Sequence, residues 1–295
     1  MTWKRKGSIL LGTKEQNDIP KVIHYCWFGR KQLPIQAVKC IESWKKYCPG
    51  YEIIEWNESN FNLEVCTYVK EAYAEKKWAF VSDYARFWIL YHEGGIYFDT
   101  DVELIKPIDD LVERGSFMGC EPLLQKGAGS MRTAINPGLG IGAVPGLNLY
   151  KEILDFYSKK SFYRQDGEMD FTTVVAYTTS ILKRNGWRDL SHIQRIAGIS
   201  VYPTEFFCPM NYYTGEIRIT ENTRSIHHYT ASWQGKKENE DITVLRKLNG
   251  ILGERIGYKI WRCYTFPTRV LRKLKRMGVK ETIAFVVKKA GNKNG

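Results

Sequence analysis

The chain has 295 residues, with 44 Lys and Arg against 32 Asp and Glu, and a formal net charge of +12. At 43% hydrophobic and 14% aromatic it can bury a large core, which excludes a disordered chain. No stretch approaches the roughly 20 apolar residues needed to cross a bilayer, and the run Ile9–Leu11 is too short for the core of a secretory leader, so a cytoplasmic location is expected.

Lys21 to Trp27 reads as a buried strand entered by Pro20 and left by Gly29. Gln36 to Lys46 reads as a helix, Tyr51 to Trp56 as a second strand, Asn57 to Asn60 as a turn and Leu63 to Ala74 as a second helix. Strand and helix alternating at this spacing predict parallel pairing in an α/β sheet. Trp78, Val81, Ala85, Trp88, Ile89 and His92 keep a helical period, and Gly94-Gly95 supplies the stop. Ile96-Tyr97-Phe98 is then a short apolar strand ending in Asp99-Thr100-Asp101, with Val102 to Ile105 extended before Pro107. Further on, Ser116–Glu121, Gly138–Val144, Ile199–Tyr202 and Arg224–His228 read as strands. Leu147–Tyr157, Thr172–Asn185 and Ile242–Gly250 read as helices, and Gly127–Ser130 and Gln234–Asp241 as mobile loops. The seven cysteines (Cys26, Cys40, Cys48, Cys66, Cys120, Cys208, Cys263) show no metal-type spacing and are expected as reduced thiols.

Two acids one residue apart on a strand point the same way, so Asp99 and Asp101 bring like charges together. That arrangement makes sense where a divalent cation joins the protein to a phosphate group. The preceding helix carries Asp83 and Arg86 on one face, in a segment otherwise rich in Trp and Tyr where charges need partners. A carboxylate could hold a sugar hydroxyl there, and a guanidinium a diphosphate.

Four blocks in order carry a resemblance: Ile23-His-Tyr-Cys-Trp-Phe-Gly29, Phe80-Val-Ser-Asp-Tyr-Ala-Arg86, Gly94-Gly-Ile-Tyr-Phe-Asp-Thr-Asp-Val102 and Ile226-His-His-Tyr-Thr-Ala-Ser-Trp233. Together they resemble the Asp-x-Asp sugar-transferase family, which groups yeast-type initiating α-mannosyltransferases with bacterial capsule and lipopolysaccharide enzymes and has the clostridial glucosylating toxins as distant relatives. The resemblance implies a GT-A fold, a Rossmann-like mixed sheet flanked by helices, over about 20–240. Residues 1–19 would be an extension, and 241–295 a basic helical region. It implies a metal-dependent, mostly retaining transfer from a nucleotide sugar, UDP-linked more often than not, to a saccharide acceptor. Carried over by position, Trp27 would stack on the base, with Phe28 beside it, and Tyr97 would line the nucleotide site. Asp83 and Arg86 would hold the donor sugar and diphosphate. Asp99 and Asp101 would bind Mn²⁺ or Mg²⁺, joined by His228 or His227, and Trp233 would cover the phosphates. Asn136 sits where relatives contact donor and acceptor, although Pro137 and the extra glycines of Gly138-Leu-Gly-Ile-Gly142 depart from their pattern. A double displacement would need a carboxylate nucleophile, for which Glu121, Asp166, Glu168 and Asp170 are available; same-face transfer needs none.

From Arg262 to Gly295 ten basic residues face one acid, Glu281, so most of the net charge sits in the tail. Val270, Leu274 and Met277, then Ile283, Val286 and Val287, suit a helix lying on an anionic membrane and holding the enzyme near a lipid-linked acceptor. No nucleic-acid module signature is present. Two other readings compete. A haloacid-dehalogenase-type phosphatase wants Asp-x-Asp on its first strand, where this motif follows several earlier elements. A membrane-docked sugar-binding protein would keep the fold without turnover.

Overall fold

The computed structural model describes residues 18–123, 132–230, 236–268 and 270–271. The chain divides into two compact units, one within residues 1–208 and 220–227, the other within 209–219 and 228–295.

In the first unit β1 (Val22–Cys26), α1 (Ile35–Tyr47), β2 (Glu52–Trp56), α2 (Thr67–Ala74) and α3 (Trp78–Glu93) lead into β3 (Gly95–Tyr97) and β4 (Val102–Leu104). The short α4 (Asp109–Val112) precedes β5 (Phe117–Leu123), β6 (Arg132–Asn136) and β7 (Ile141–Ala143). Then come α5 (Asn148–Ser158), α6 (Val174–Arg184), β8 (Gln194–Ile196), β9 (Ile199–Tyr202), α7 (Thr204–Phe207) and β10 (Ser225–His227). The main sheet runs β2-β1-β3-β7-β5-β9-β8, with β6 on β5; β10 and β4 form a separate antiparallel pair. Pairing is parallel across β2-β1-β3 and between β5 and β9, and antiparallel where β7, β6 and β8 join. The expectation of parallel pairing therefore holds for the first three strands, and the sheet as a whole is mixed α/β. β1 continues to β2 on one side and β3 on the other, which opens a crevice beyond their carboxyl ends where ligands of open α/β sheets collect.

Helix α3 explains how charges come to rest inside. It is buried nearly all round: Phe80, Val81, Tyr84, Ala85, Phe87, Ile89 and Leu90 sit in the core, and Asp83 and Arg86 are buried with them. Gly94 and Gly95, at φ +65° and +94°, turn the chain from α3 directly into β3. A side chain at Gly95 would meet the Val22 carbonyl and the His24 ring. From α1, Trp44 donates its indole N–H to the Val102 carbonyl (2.8 Å) and Ser43 accepts from the Leu104 N–H (2.9 Å), which fixes the strand leaving the acidic pair.

His24 ties this corner together. Its Nδ1 accepts from the Trp56 indole N–H (3.0 Å), so Nε2 carries the proton and donates to the Gly94 carbonyl (3.1 Å). Burial lowers its pKa to about 4, against a partial upward pull from the Gly94 bond. A histidine held neutral contributes stability that is complete above its unfolded value near 6.5 and is lost as pH falls toward the folded value. Urea midpoints should therefore fall steeply between about pH 6.5 and 4, and His24→Gln should flatten that dependence. An unchanged slope in the variant would count against a neutral His24.

Several boundaries differ from the sequence expectation. α2 starts at Thr67 rather than Leu63, because Asn62 to Cys66 is spent on turns, one closed by the Asn62 side chain accepting from the Glu64 N–H. β6, β8, α4 and α7 arise where no periodic run announces them. All seven cysteines are free.

In the second unit, α8 (Lys236–Leu252) and α9 (Glu254–Tyr264) pack together. Lys236 to Asp241 is the first part of α8 and not a loop, a run whose Lys and Glu residues are good helix formers. Gly253, at φ +75°, makes the corner between the two helices. Arg246 and Asn249 donate to the Tyr212 and Tyr213 carbonyls, binding α8 to the hairpin that bridges Met210 and Ile217. Among the described residues no helix is long and apolar enough to cross a membrane. Most of the basic tail, from Leu274 and Met277 through Ile283 to Val287, lies outside the described residues.

Candidate active site

Arg86 is the hub. Its side chain is 4% exposed; Nη2 lies 3.0 Å from Asp83 Oδ1 and 3.2 Å from Asp99 Oδ1, Nη1 lies 3.4 Å from Asp99 Oδ2, and Nε donates to the Ser82 carbonyl. The guanidinium lies over the Tyr97 ring, 4.8 Å from its centre, and the Tyr97 hydroxyl donates to Asp99 Oδ1 (3.0 Å). Burial opposes the arginine's charge, but Asp99, Tyr97 and Asp83 hold its pKa above the ordinary value. Burial pushes Asp83 up to about 7, although Arg86 pulls it back down.

Asp99 and Asp101 lie in the turn between β3 and β4 and not on a strand as expected. The Val102 N–H donates to the Asp99 carbonyl (3.0 Å), and Asp101 pairs with His227. Its Oδ1 is 3.1 Å from His227 Nε2, with the two side chains 13% and 10% exposed. Burial would lower the imidazole's pKa, but Asp101, followed by Asp99 and Glu121, holds it above its ordinary value. Ligand atoms of Asp99, Asp101 and His227 all lie within 4.8 Å of one another. Two carboxylates and an imidazole so close together form a donor set able to hold a divalent cation. His227 belongs to this grouping and His228 does not; His228 falls in the second unit. Trp233 lies outside the described residues.

A cleft of about 400 Å³ opens beyond β1 and β2, lined by Trp27, Arg30, Lys31, Glu55, Asn57, Glu58 and Ser59. Trp27 is half-buried there and donates its indole N–H to the Lys31 carbonyl (2.6 Å). Asp99 and Asp101 are not among its walls. Phe28 is buried against Phe61 (ring centres 5.8 Å apart), so its ring serves the core and not the cleft. Tyr97 is likewise buried and acts through Arg86 and Asp99.

Asn136, also buried, accepts the Gly138 N–H on Oδ1 (2.7 Å) and donates from Nδ2 to Glu121 (2.8 Å). The Gly138 carbonyl in turn accepts the Asp99 N–H (3.1 Å), so Glu121, Asn136 and Gly138 brace the main chain at the acidic pair. Gly138 was visible in the sequence only as a departure from the family pattern. A Cβ there would collide with the Asp99 carboxylate, just as one at Gly140 or Gly142 would meet Phe98 or Phe117. Gly138→Ala should therefore displace Asp99 and weaken Mn²⁺ binding about tenfold or more; wild-type affinity in the variant would remove this role.

The other acids differ. Asp170 is engaged by Thr172, Tyr177 and Lys160. Burial alone would raise its pKa, yet those partners bring it down to about 2. Asp166 and Glu168 sit on the small hairpin bridged by Tyr163 and Met169. Glu121 is joined to the Asp99 segment through Asn136.

Residues 34–118 match the family described as the glycosyltransferase sugar-binding region containing the DXD motif. Inositol phosphoceramide mannosyltransferase 1 of Schizosaccharomyces pombe is 30% identical over 115 residues, covering 35% of this chain and 34% of that protein, so the chain spans only about a third of it. An uncharacterised glycosyltransferase of Acanthamoeba polyphaga mimivirus is 26% identical over 201 residues, covering 66% of this chain and 75% of that one. The crystal structure of a glycosyltransferase involved in glycosylation of the major capsid of PBCV-1 aligns over 76% of this chain and all of its own length, at 15% identity and a TM-score of 0.42. The segment from α1 to the start of β5, which holds Asp83, Arg86, Asp99 and Asp101, thus matches a glycosyltransferase sugar-binding region containing the DXD motif.

Proposed function

We propose that the protein is a metal-dependent glycosyltransferase that moves a hexose or N-acetylhexosamine from a nucleotide sugar, UDP-linked by preference, to a saccharide acceptor. The observation that carries this reading is the convergence of Asp99, Asp101 and His227 beside the buried Arg86. Asp101, Asp99 and His227 would hold Mn²⁺ or Mg²⁺. The cation would offset negative charge developing on the departing diphosphate. Arg86 is placed to share that task from a site of low exposure, where its charge acts strongly. Asp83 would hold a sugar hydroxyl, and Trp27, in the cleft beyond β1 and β2, would stack on the base. Retaining, same-face transfer, in which the leaving diphosphate deprotonates the acceptor hydroxyl, is the favoured course because it needs no carboxylate nucleophile.

The surroundings of the reaction follow from the tail: a basic C-terminal segment suits a peripheral enzyme on the cytoplasmic face of a bacterial membrane, acting on a lipid-linked acceptor in capsule, lipopolysaccharide or exopolysaccharide synthesis. The test is incubation with UDP-, GDP- and CMP-sugars and Mn²⁺, the mannosyltransferase relative giving GDP-mannose a place in the panel. A transferase slowly hydrolyses its donor to sugar and nucleoside diphosphate. Release of inorganic phosphate from monoesters would instead indicate a phosphatase, and no turnover of any donor would leave a binding protein.

A further inference from the structure

Helix α9 carries an exposed apolar ridge beside its basic flank. Its inner side is anchored: Trp261 donates its indole N–H to the Asp241 carbonyl on α8 (2.6 Å), Thr265 is buried just beyond the helix, and Gly257 lets the backbone approach Asn249 of α8. Beside that buried line Ile256, Ile260 and Tyr264, at i, i+4 and i+8, form a ridge with 55%, 43% and 64% exposure. Ile251, at the end of α8, is 80% exposed. Arg255 and Lys259, both exposed, sit on the same helix beside this ridge. A run of large apolar side chains rimmed by cations, on a helix already packed on its other side, marks an interaction surface.

We infer that the outer face of α9 docks on an anionic lipid surface, with Ile256, Ile260 and Tyr264 entering the headgroup boundary and Arg255 and Lys259 meeting lipid phosphates. Charge selects this occupant. A second copy of the chain would bring the same cations against the ridge, whereas anionic headgroups complement them. The basic residues from Arg262 onward add attraction of the same sign. The inference rests on and sharpens the membrane placement proposed above, and it is independent of the catalytic reading because it uses no residue of the DXD site.

Cys263 gives a native probe: it is exposed beside the ridge, while the other cysteines are buried or half-buried. The full chain, carrying an environment-sensitive fluorophore on Cys263, is titrated with vesicles of phosphatidylcholine alone or of equal parts phosphatidylcholine and phosphatidylglycerol. The expected result is a blue shift with the anionic vesicles only, reduced by added salt. Ile256→Gln with Ile260→Gln should weaken vesicle affinity about tenfold or more without changing Mn²⁺-dependent donor hydrolysis. Three results would overturn the inference: no shift with anionic vesicles, equal affinity in the double variant, or a dimer in sedimentation that the double variant abolishes. Failure of donor hydrolysis in the wild type would instead sink the enzymatic reading and leave the docking result standing.

Discussion

Asp101→Asn is expected to lower donor turnover by about a thousandfold or more while leaving the fold intact. The substitution keeps shape and an acceptor for the His227 Nε2–H, 3.1 Å away, so the local hydrogen bond survives. What it removes is one of the two anionic ligands in the Asp99, Asp101 and His227 grouping, and with it most of the affinity for a hard divalent cation. Mn²⁺ affinity and kcat should therefore fall together, with circular dichroism and melting temperature close to wild type. Normal turnover in this variant, at saturating metal, would remove Asp101 from the reaction.

Replacing Arg86 should damage stability and activity at once. Arg86→Met retains length and volume but leaves Asp83, whose side chain is 10% exposed, without its cation. A buried charge deprived of its partner costs about 3–5 kcal/mol, or roughly 10 °C in melting temperature for a chain of this size. Asp83 already has its pKa pushed up to about 7 by burial, so in the variant it would take up a proton rather than remain charged, and stability should recover partly toward acid pH. Adding Asp83→Asn should restore stability and not activity, because Asp99 would still lack its two-pronged contact with the guanidinium. Arg86→Lys should fail as well, since one ammonium cannot reproduce contacts to two carboxylates and a carbonyl. Thermal melts and donor-hydrolysis rates on the four proteins separate the two contributions; a fully stable Arg86→Met would mean that Asp83 does not depend on the pair.

The order β1-α1-β2 and the helix α3 leading into β3 were legible because their signals are local: apolar runs of the right length, a helical period, and a double glycine at the one corner that needs positive φ. The charged residues of α3 stood out for the same reason, being out of place among Trp and Tyr. The choice between His227 and His228 was not legible. It depends on β10 pairing with β4 in the register His227 to Val102, and one step of slip would exchange the two side chains between faces. Gly138 was similarly hidden, since its purpose is to leave room for a carboxylate brought there by a different strand. β8 has three residues, too few to show a period, and β6 begins only where it meets β5. The outer face of α9 escaped notice because its isoleucines alternate with Arg and Lys. Only the packing of its opposite side on α8 shows which residues remain outside.

The most direct test is anomalous diffraction from crystals grown with Mn²⁺ and a UDP-sugar. A single strong manganese peak is expected within about 2.5 Å of an Asp101 oxygen, with Asp99 and His227 around it and the donor diphosphate reaching toward Arg86. A map with no manganese there, and Asp99 and Asp101 still engaged by Arg86 and His227 while the nucleotide binds elsewhere, would contradict it.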